Sequence, residues 1–436
     1  MYEVTQDRHF VSPRPHHSPK MNALTNDNVV TLGSLLAQDL PQAYILPERP
    51  STFNHKASFV NSRSYLIHDY STDMTADHRY LKAMRACAVA GNDLPILLTC
   101  AVHPLITEHW SKWLPFLPRP DIRIFENEDT EKRPLVVNFP FENFPAEKHA
   151  VDPDIHYILS SKTRIPEMGA PCPRYMSRDN YTVPCMIKTT QGVGGRGVFL
   201  ARSHDQALEA FLELKNNFHC YEPVITEAVE NVTDFLNVQL YLFQNGDFHW
   251  LGVRRKMKEK SSCQHDLVPD VDWNEQEDQK NLVWDVVKPV MAYLNKHGYF
   301  GFTGVEILIN NRGKFLIDVN LKTSDSTYLL LLAPHFAANL NFPVSIVAEI
   351  LPTSIEALLE QIDKLNCEDE GRAILLSGDV TSLSKPIKSC IVVFAKDQHT
   401  VFLLHRRLLR SCASLICNGA GDHDGDRISN TRVLLK

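Results

Sequence analysis

The alternation of apolar and polar positions divides the chain into four stretches. Residues 1–28 are polar and rich in Pro, His and Ser, and are expected to be disordered. From 29 to 150, strand-like runs at 64–70 (SYLIHDY), 94–100 (LPILLTC) and 133–139 (RPLVVNF) alternate with helix-like segments such as ADHRYLKAMRACAVAG. That alternation predicts a small α/β layer domain. From 151 to 345 the pattern becomes α+β. The runs LNVQLYLF and FHWLGV flank Gln244-Asn245-Gly246-Asp247, a hairpin signal. Leu282, Val283, Val286, Val287, Val290 and Leu294 recur at helical spacing and predict a helix over roughly 275–297, with Pro289 as a kink point. A second hairpin runs from Gly304 to Asn320. From 346 to 436 a small α+β subdomain is expected. Its helix opens on a capping box at Thr353 and Glu356 and buries Ile355, Leu358, Leu359, Ile362 and Leu365. Two strands follow, SCIVVFA and TVFLLHR, joined by a turn at Lys396-Asp397-Gln398, and then a loose tail from about 418.

Composition narrows the classes. A chain of 436 residues suggests two or three structural units, and 44% hydrophobic with 22% charged residues suits an ordinary soluble protein. A net charge of -7 and a pI near 6.3 argue against nucleic-acid and membrane-surface partners, which call for a basic patch. The longest apolar run, YLLLLAPHFAANL, is short for a bilayer span and holds Pro334. Ten cysteines without pairing rhythm, no CxxC and no leader-like apolar segment point to a reducing, cytoplasmic setting. Cys412, Cys417 and His423 do not have zinc-site spacing and read as ordinary thiols and a loop histidine.

Chemistry enters at the second hairpin. Its first run ends at Asn310, Asn311-Arg312-Gly313 reads as a three-residue loop, and Gly313 takes the left-handed position. Glu306 then lies opposite Asp318, and Asp318 and Asn320 share its face. Two carboxylates and an amide oxygen form either a hard-oxygen site for Mg²⁺ or the solvated face of an amphipathic hairpin; alone, the motif supports both. A second feature runs from Lys188 to Val198. Gly192, Gly194, Gly195 and Gly197 let backbone N–H groups approach an anion closely. Gly192, Gly194 and Gly197 also satisfy GxGxxG, and a dehydrogenase reading of that match predicts NAD(H) binding. That fingerprint needs a strand before it and a helix at once after it. Here VPCMIK and VFLARS both read as strands, and a helix begins only after Ser203, which caps it with Gln206. No GK[ST] follows, so the P-loop pattern fails as well. A glycine-rich hairpin over phosphates fits better; a flexible surface hairpin is the bland alternative.

In their order along the chain, these motifs resemble the ATP-grasp superfamily of carboxylate–amine ligases over about residues 155–335. Ser161-Lys162-Thr163-Arg164 with Gly169-Ala170-Pro171-Cys172-Pro173 is similar to the stretch carrying the first phosphate lysine, and Met186-Ile187-Lys188 to the second. Val224-Ile225-Thr226-Glu227-Ala228-Val229-Glu230 resembles the hinge strand between lobes. The resemblance implies two α+β lobes clamping a nucleotide, with an α/β pre-ATP-grasp domain at 29–150. It implies that Lys162, Lys188, Gln191, Gly192, Gly194, Gly195 and Gly197 hold phosphates, and that Glu227, Val229 and Glu230 hold adenine and ribose. Glu306, Asp318 and Asn320 would ligate Mg²⁺, with Mn²⁺ as a substitute. Where many members end on Glu-x-Asn-x-Arg, this chain has Asp318-x-Asn320-x-Lys322, which loses the bidentate fork. Arg254 and Arg255 are candidates to supply it, gripping an acyl-phosphate together with Lys322. The implied reaction consumes ATP, joins an amino-acid-like carboxylate to an amine, and releases ADP and phosphate. The substrate pockets would come from residues 29–150 and from Thr323, Ser324 and Ser326. A homodimer is the implied assembly. A small-molecule kinase on the same fold and a non-catalytic ATP-binding regulator are the competing readings.

Overall fold

The computed structural model describes residues 29–52, 55, 57–68, 76–128, 133–256, 269–379 and 387–417. The expectations for 1–28, for the tail from 418 and for His423 fall outside them. Short strands begin the fold, the central two fully buried and the outer two partly so. β1 (Tyr44–Leu46), β2 (Ile96–Leu98), β3 (Ile122–Ile124) and β4 (Leu135–Val137) form a parallel sheet in the order β3-β2-β1-β4. Helices α1 (Leu32–Asp39), α2 (Ala76–Cys87) and α3 (Pro104–Trp113) accompany it. No strand forms over the described part of the run expected at 64–70: residues 64–68 are an irregular loop. The Glu142 carboxylate accepts hydrogen bonds from the backbone N–H groups of Ser62, Arg63 and Ser64, which therefore do not serve a strand ladder. Burial opposes ionisation of Glu142, yet these bonds pull its pKa down to about 2.

After α4 (Pro153–Leu159), a second sheet contains β5 (Tyr175–Met176), β6 (Cys185–Lys188), β7 (Val198–Ala201) and β8 (Val224–Glu227), antiparallel in the order β5-β8-β6-β7. Helix α5 (His204–Asn217) covers it with Ala207, Ala210, Phe211 and Leu214. The Ser203 hydroxyl caps α5 by accepting from the Gln206 N–H, as its sequence predicts.

A third, larger sheet follows: β9 (Asp234–Leu242) and β10 (Phe248–Arg255), then, past the short β11 (Val271–Asp272), β12 (Gly301–Asn310) and β13 (Gly313–Asn320). Its order is β10-β9-β12-β13. Helix α6 (Gln276–Lys296) packs on one face through Val283, Val286, Val287, Val290, Met291 and Leu294. Leu282, expected on that stripe, is instead 44% exposed.

The last layer contains α7 (Asp325–Leu340), β14 (Val344–Ile350), α8 (Ile355–Asn366), β15 (Gly371–Gly378), β16 (Ser389–Ala395) and α9 (Gln398–Cys417), with strand order β11-β14-β16-β15. β14 straddles the boundary expected at 345/346. The segment TVFLLHR, expected as a strand, lies inside α9. Asp397 accepts from the Thr400 N–H at 2.7 Å and opens the helix, and Val401, Leu404 and Leu408 are buried at helical spacing. Ser354, not Thr353, caps α8 by accepting from the Ala357 N–H, and Leu359 is only half-buried. Arg85 of α2 ties the first layer to the last: it donates to Asp325 at 2.8 Å, Glu349 at 2.9 Å and Ser377 at 3.2 Å. Among the described residues, no helix is long and apolar enough to cross a membrane.

Candidate active site

The site grows from one row of the large sheet. Arg254 of β10 faces Asn237 of β9, Asn237 faces Glu306 of β12, and Glu306 faces Asp318 of β13. Directly opposed residues share a face, so these four side chains rise on one side. The next row places Gln239 opposite Gly304 and Gly304 opposite Asn320. The other side of the sheet carries Val305, Ile307, Leu316 and Val319 into the core under α6. Glu306 and Asp318 meet as expected, but by a different route. The turn has two residues, since Asn310 pairs with Gly313, and a bulge at Ile317 restores the register.

Polar groups on this face are hydrogen-bonded to one another. Asn237 and Asn320 each donate to Glu306 Oε1 at 3.3 Å, Gln239 donates to Asn237 Oδ1 at 2.6 Å, and Thr327 donates to Gln239 Oε1 at 2.7 Å. Four lysines converge here. Lys162 and Lys188 are only 6% and 7% exposed, unusual for ammonium groups. Lys162 Nζ lies 3.3 Å from Asp318 Oδ2, Lys256 pairs with Glu306, and Lys322 Nζ donates to Asn320 Oδ1 at 2.9 Å. Burial, reinforced by the Lys162 charge, lowers the pKa of Lys188 to about 8. Burial also lowers Lys322 to about 8, against the pull of Asp318. Four ammonium groups around two carboxylates leave positive charge to be matched by an anion. The donor set of Glu306, Asp318 and Asn320 fits a hard dication such as Mg²⁺. Its third donor is an amide, consistent with the absence, among the described residues, of any group of three His, Cys, Asp or Glu side chains able to hold a metal.

The glycine segment is the tip of the β6–β7 hairpin, with Lys188 paired to Val198. An antiparallel return strand is incompatible with the dinucleotide fingerprint, and the dehydrogenase reading fails. The glycines divide by role. A Cβ on Gly192 or Gly197 would lie 2.5 Å from Thr189 side-chain atoms, so both are needed for close packing. Gly194 and Gly195 have φ of +65° and +74° with nothing within 4 Å of a would-be Cβ. Their backbone is open to a ligand. Gln191 and Gly192 line a cleft together with Lys162, Asp318, Asn320 and Lys322.

Glu227 ends β8 and lies 3.3 Å from Arg312, at the tip of the β12–β13 hairpin. Val229 and Glu230 sit in the crossover from β8 of the second sheet to β9 of the third, where the Glu230 carbonyl accepts from Asn310 at 2.8 Å. Arg254 belongs to the row described above and also meets Asp270 at 3.0 Å and Ser326 at 3.4 Å. Arg255 does not join it: paired with Leu236, it projects to the opposite face and binds Glu275 at 2.7 Å near the start of α6. Sequence reasoning missed Asn237, Gln239 and Lys256. Polar residues two apart in the otherwise apolar run LNVQLYLF were the available signal for the first two. For Lys256 it was the third basic position after Arg254 and Arg255.

Residues 174–320 match the family model described as L-aspartate–L-methionine ligase, ATP grasp. No match was found among curated proteins. Among solved structures, the purK N5-carboxyaminoimidazole ribonucleotide synthetase in its ADP complex aligns with a TM-score of 0.51 at 14% identity, covering 85% of this chain and 97% of that one. N5-carboxyaminoimidazole ribonucleotide synthetase from Thermotoga maritima aligns at 0.47 and 12% identity, covering 85% and 98%. An L-amino acid ligase from Bacillus licheniformis aligns at 0.44 and 12% identity, covering 73% and 96%.

Proposed function

This chain has the ATP-grasp fold of the carboxylate–amine ligases, and we propose that it uses MgATP to activate a carboxylate as an acyl-phosphate and join it to an amine. The observation that carries the mechanism is the surplus of lysine charge around Glu306 and Asp318 beneath a glycine hairpin. Lys162, Lys188 and the open backbone at Gly194 and Gly195 hold the phosphates. Mg²⁺, held by Glu306, Asp318 and Asn320, would offset charge on the phosphate oxygens. Adenine and ribose lie along the crossover at Glu227, Val229 and Glu230. A carboxylate oxygen of the substrate attacks the γ-phosphorus, and the bond to the ADP oxygen breaks. Lys322 and Arg254 stabilise the acyl-phosphate. The amine then attacks the acyl carbon, the C–N bond forms, phosphate departs and the amine gives up a proton. Closure of the glycine hairpin keeps water from the acyl-phosphate.

Amino acids are the first substrates to try, since the matched family model names L-aspartate and L-methionine. We propose that it acts as a cytoplasmic homodimer. The test measures ADP and phosphate release with Mg²⁺ and amino acids, singly and in pairs, and hydroxamate formation when hydroxylamine replaces the amine. A kinase would release ADP without phosphate or hydroxamate; a regulator would release neither product. Either pattern refutes the ligase reading.

A further inference from the structure

Arg254 stands at one end of the row that runs through Asn237 and Glu306 to Asp318, and little holds it there. Its Nη2 donates to Asp270 Oδ2 at 3.0 Å, its Nη1 reaches Ser326 Oγ at 3.4 Å, and its Nε is buried with no hydrogen-bond partner among the described residues. A guanidinium carries five N–H donors, so several remain for an anion. The reach to Ser326 is near the limit of a hydrogen bond. Among the described residues, Asp270 is the one carboxylate within ion-pair distance of Arg254. Asp325, next to Ser326 in α7, is already committed: both of its oxygens accept from Arg85 Nη1 at 2.8 Å.

Asp270 is itself tied down from two sides. It is buried at the entry to β11. Its carbonyl accepts from the Arg255 N–H at 2.7 Å, which fastens its backbone to β10 beside Arg254. Its Oδ2, the oxygen that receives Arg254, also accepts from the Val347 N–H of β14 at 2.6 Å. β11 continues this attachment by pairing Val271 with Ser345 and Asp272 with Val344. The carboxylate is thus fixed between the large sheet and the last one. Replacing a buried ion pair by apolar groups is often neutral or stabilising, so stability alone gives little reason for this pair. Orientation gives one. A charged donor held rigidly in a low-dielectric site stabilises developing charge without reorganising at the moment of reaction.

We infer that Asp270 is a positioning residue for the transfer step: it holds the Arg254 guanidinium at the edge of the active face, and through it the last layer takes part in the chemistry. The inference rests on the ligase reading only for the identity of the group that accepts the phosphoryl; any transfer of the γ-phosphoryl group past Arg254 needs the same hold.

The test uses the full chain and reads nucleotide binding, capture of a phosphoryl mimic and turnover separately. Aluminium fluoride with MgADP imitates the phosphoryl group in transfer without chemistry. Asp270→Asn should bind MgADP within about twofold of the parent, since Lys162, Lys188 and the glycine hairpin are untouched. It should lose about 10- to 100-fold in fluoroaluminate affinity and in kcat, with little change in the KM for MgATP. Asp270→Glu keeps the charge and guards against a folding defect; a contact displaced by one methylene should cost about tenfold in the same two readouts. In an Arg254→Met background, Asp270→Asn should change neither readout by more than about twofold, whereas a purely structural Asp270 would have the same effect with or without Arg254. Parent-like capture of fluoroaluminate by both Asp270 variants, equal effects in the two backgrounds, or a parent that captures no fluoroaluminate overturns the inference even if hydroxamates form. Capture that depends on Asp270, with no hydroxamate from any amino acid, upholds the inference and instead removes the ligase reading.

Discussion

Replacing Lys188 with Met separates the two demands on a buried cation. Lys188 is 7% exposed at the end of β6, and its pKa falls from 10.5 to about 8 because burial and Lys162 disfavour the charge. The unfolded chain therefore holds this proton more tightly than the folded one. Stability should rise with pH between about 8 and 10.5, and below about 8 the full penalty stands. At 1.36 kcal/mol per pH unit this amounts to ~3 kcal/mol against the ligand-free fold near pH 7. Lys188→Met keeps the length of the side chain and removes the charge. The ligand-free variant should thus be more stable than the parent at pH 7 by ~2–3 kcal/mol, and the gap should close as pH approaches 10. Binding should move the other way. A charge-assisted contact to phosphate contributes about 1.5–3 kcal/mol, so MgATP affinity should fall about 10- to 100-fold. Denaturant titration at both pH values and calorimetry with MgATP read the two effects. A variant less stable than the parent at pH 7, with unchanged MgATP affinity, would show that Lys188 anchors the core and does not hold phosphate.

Asp318→Asn should leave the protein folded, because the β12–β13 pairing is made by backbone, yet lower kcat by about 100-fold or more through loss of a carboxylate at the dication site. Activity that merely tracks the folded fraction would count against that role. Arg254→Lys keeps the charge but not the fork, and should lower kcat/KM about tenfold or more. Arg255→Ala, on the far face beside the partly exposed Glu275, should change activity little and cost at most about 1 kcal/mol in stability; equal losses from the two substitutions would undo the assignment of faces. Gly195→Ala places a side chain at φ +74° with open space around it. Backbone strain of about 1–2 kcal/mol at the hairpin tip should raise the KM for MgATP while the global unfolding midpoint stays nearly fixed.

Much of this site was legible because its signals are local. The Ser203 cap and the strand-like VFLARS place the glycine segment at a hairpin tip from the sequence alone, and the apolar stripe of α6 lies almost where its period requires. What failed depends on distant partners. SYLIHDY has strand composition, but the backbone just before it is claimed by Glu142, a residue 78 positions beyond Ser64. TVFLLHR follows a short turn and reads as the return strand of a hairpin, yet the Asp397 cap and burial of Val401, Leu404 and Leu408 make it a helix. Arg254 and Arg255 are indistinguishable in sequence; only the pairing of Arg254 with Asn237 and of Arg255 with Leu236 assigns them to opposite faces.

The register of Glu306 against Asp318 teaches a sharper point, because two departures from the expected hairpin cancel. A two-residue turn alone would set Glu306 opposite Ile317 and send Asp318 toward α6, burying a carboxylate among Val283, Val287 and Leu316. The observed ladder avoids this by passing from Leu316 opposite Ile307 to Asp318 opposite Glu306, with Ile317 as the extra residue. Leu316 and Val319 are both buried though three positions apart, an interval no straight strand allows. Deleting Ile317 should therefore keep every remaining side chain on its present face. The expected product is a folded protein that still binds MgATP, with kcat reduced to the extent that the bulge aims Asp318. Deleting Ile309, by contrast, removes one residue from an unbulged part of the ladder and should disrupt both core and site. If the two deletions behave alike in thermal unfolding and MgATP titration, the bulge is not what brings these carboxylates together.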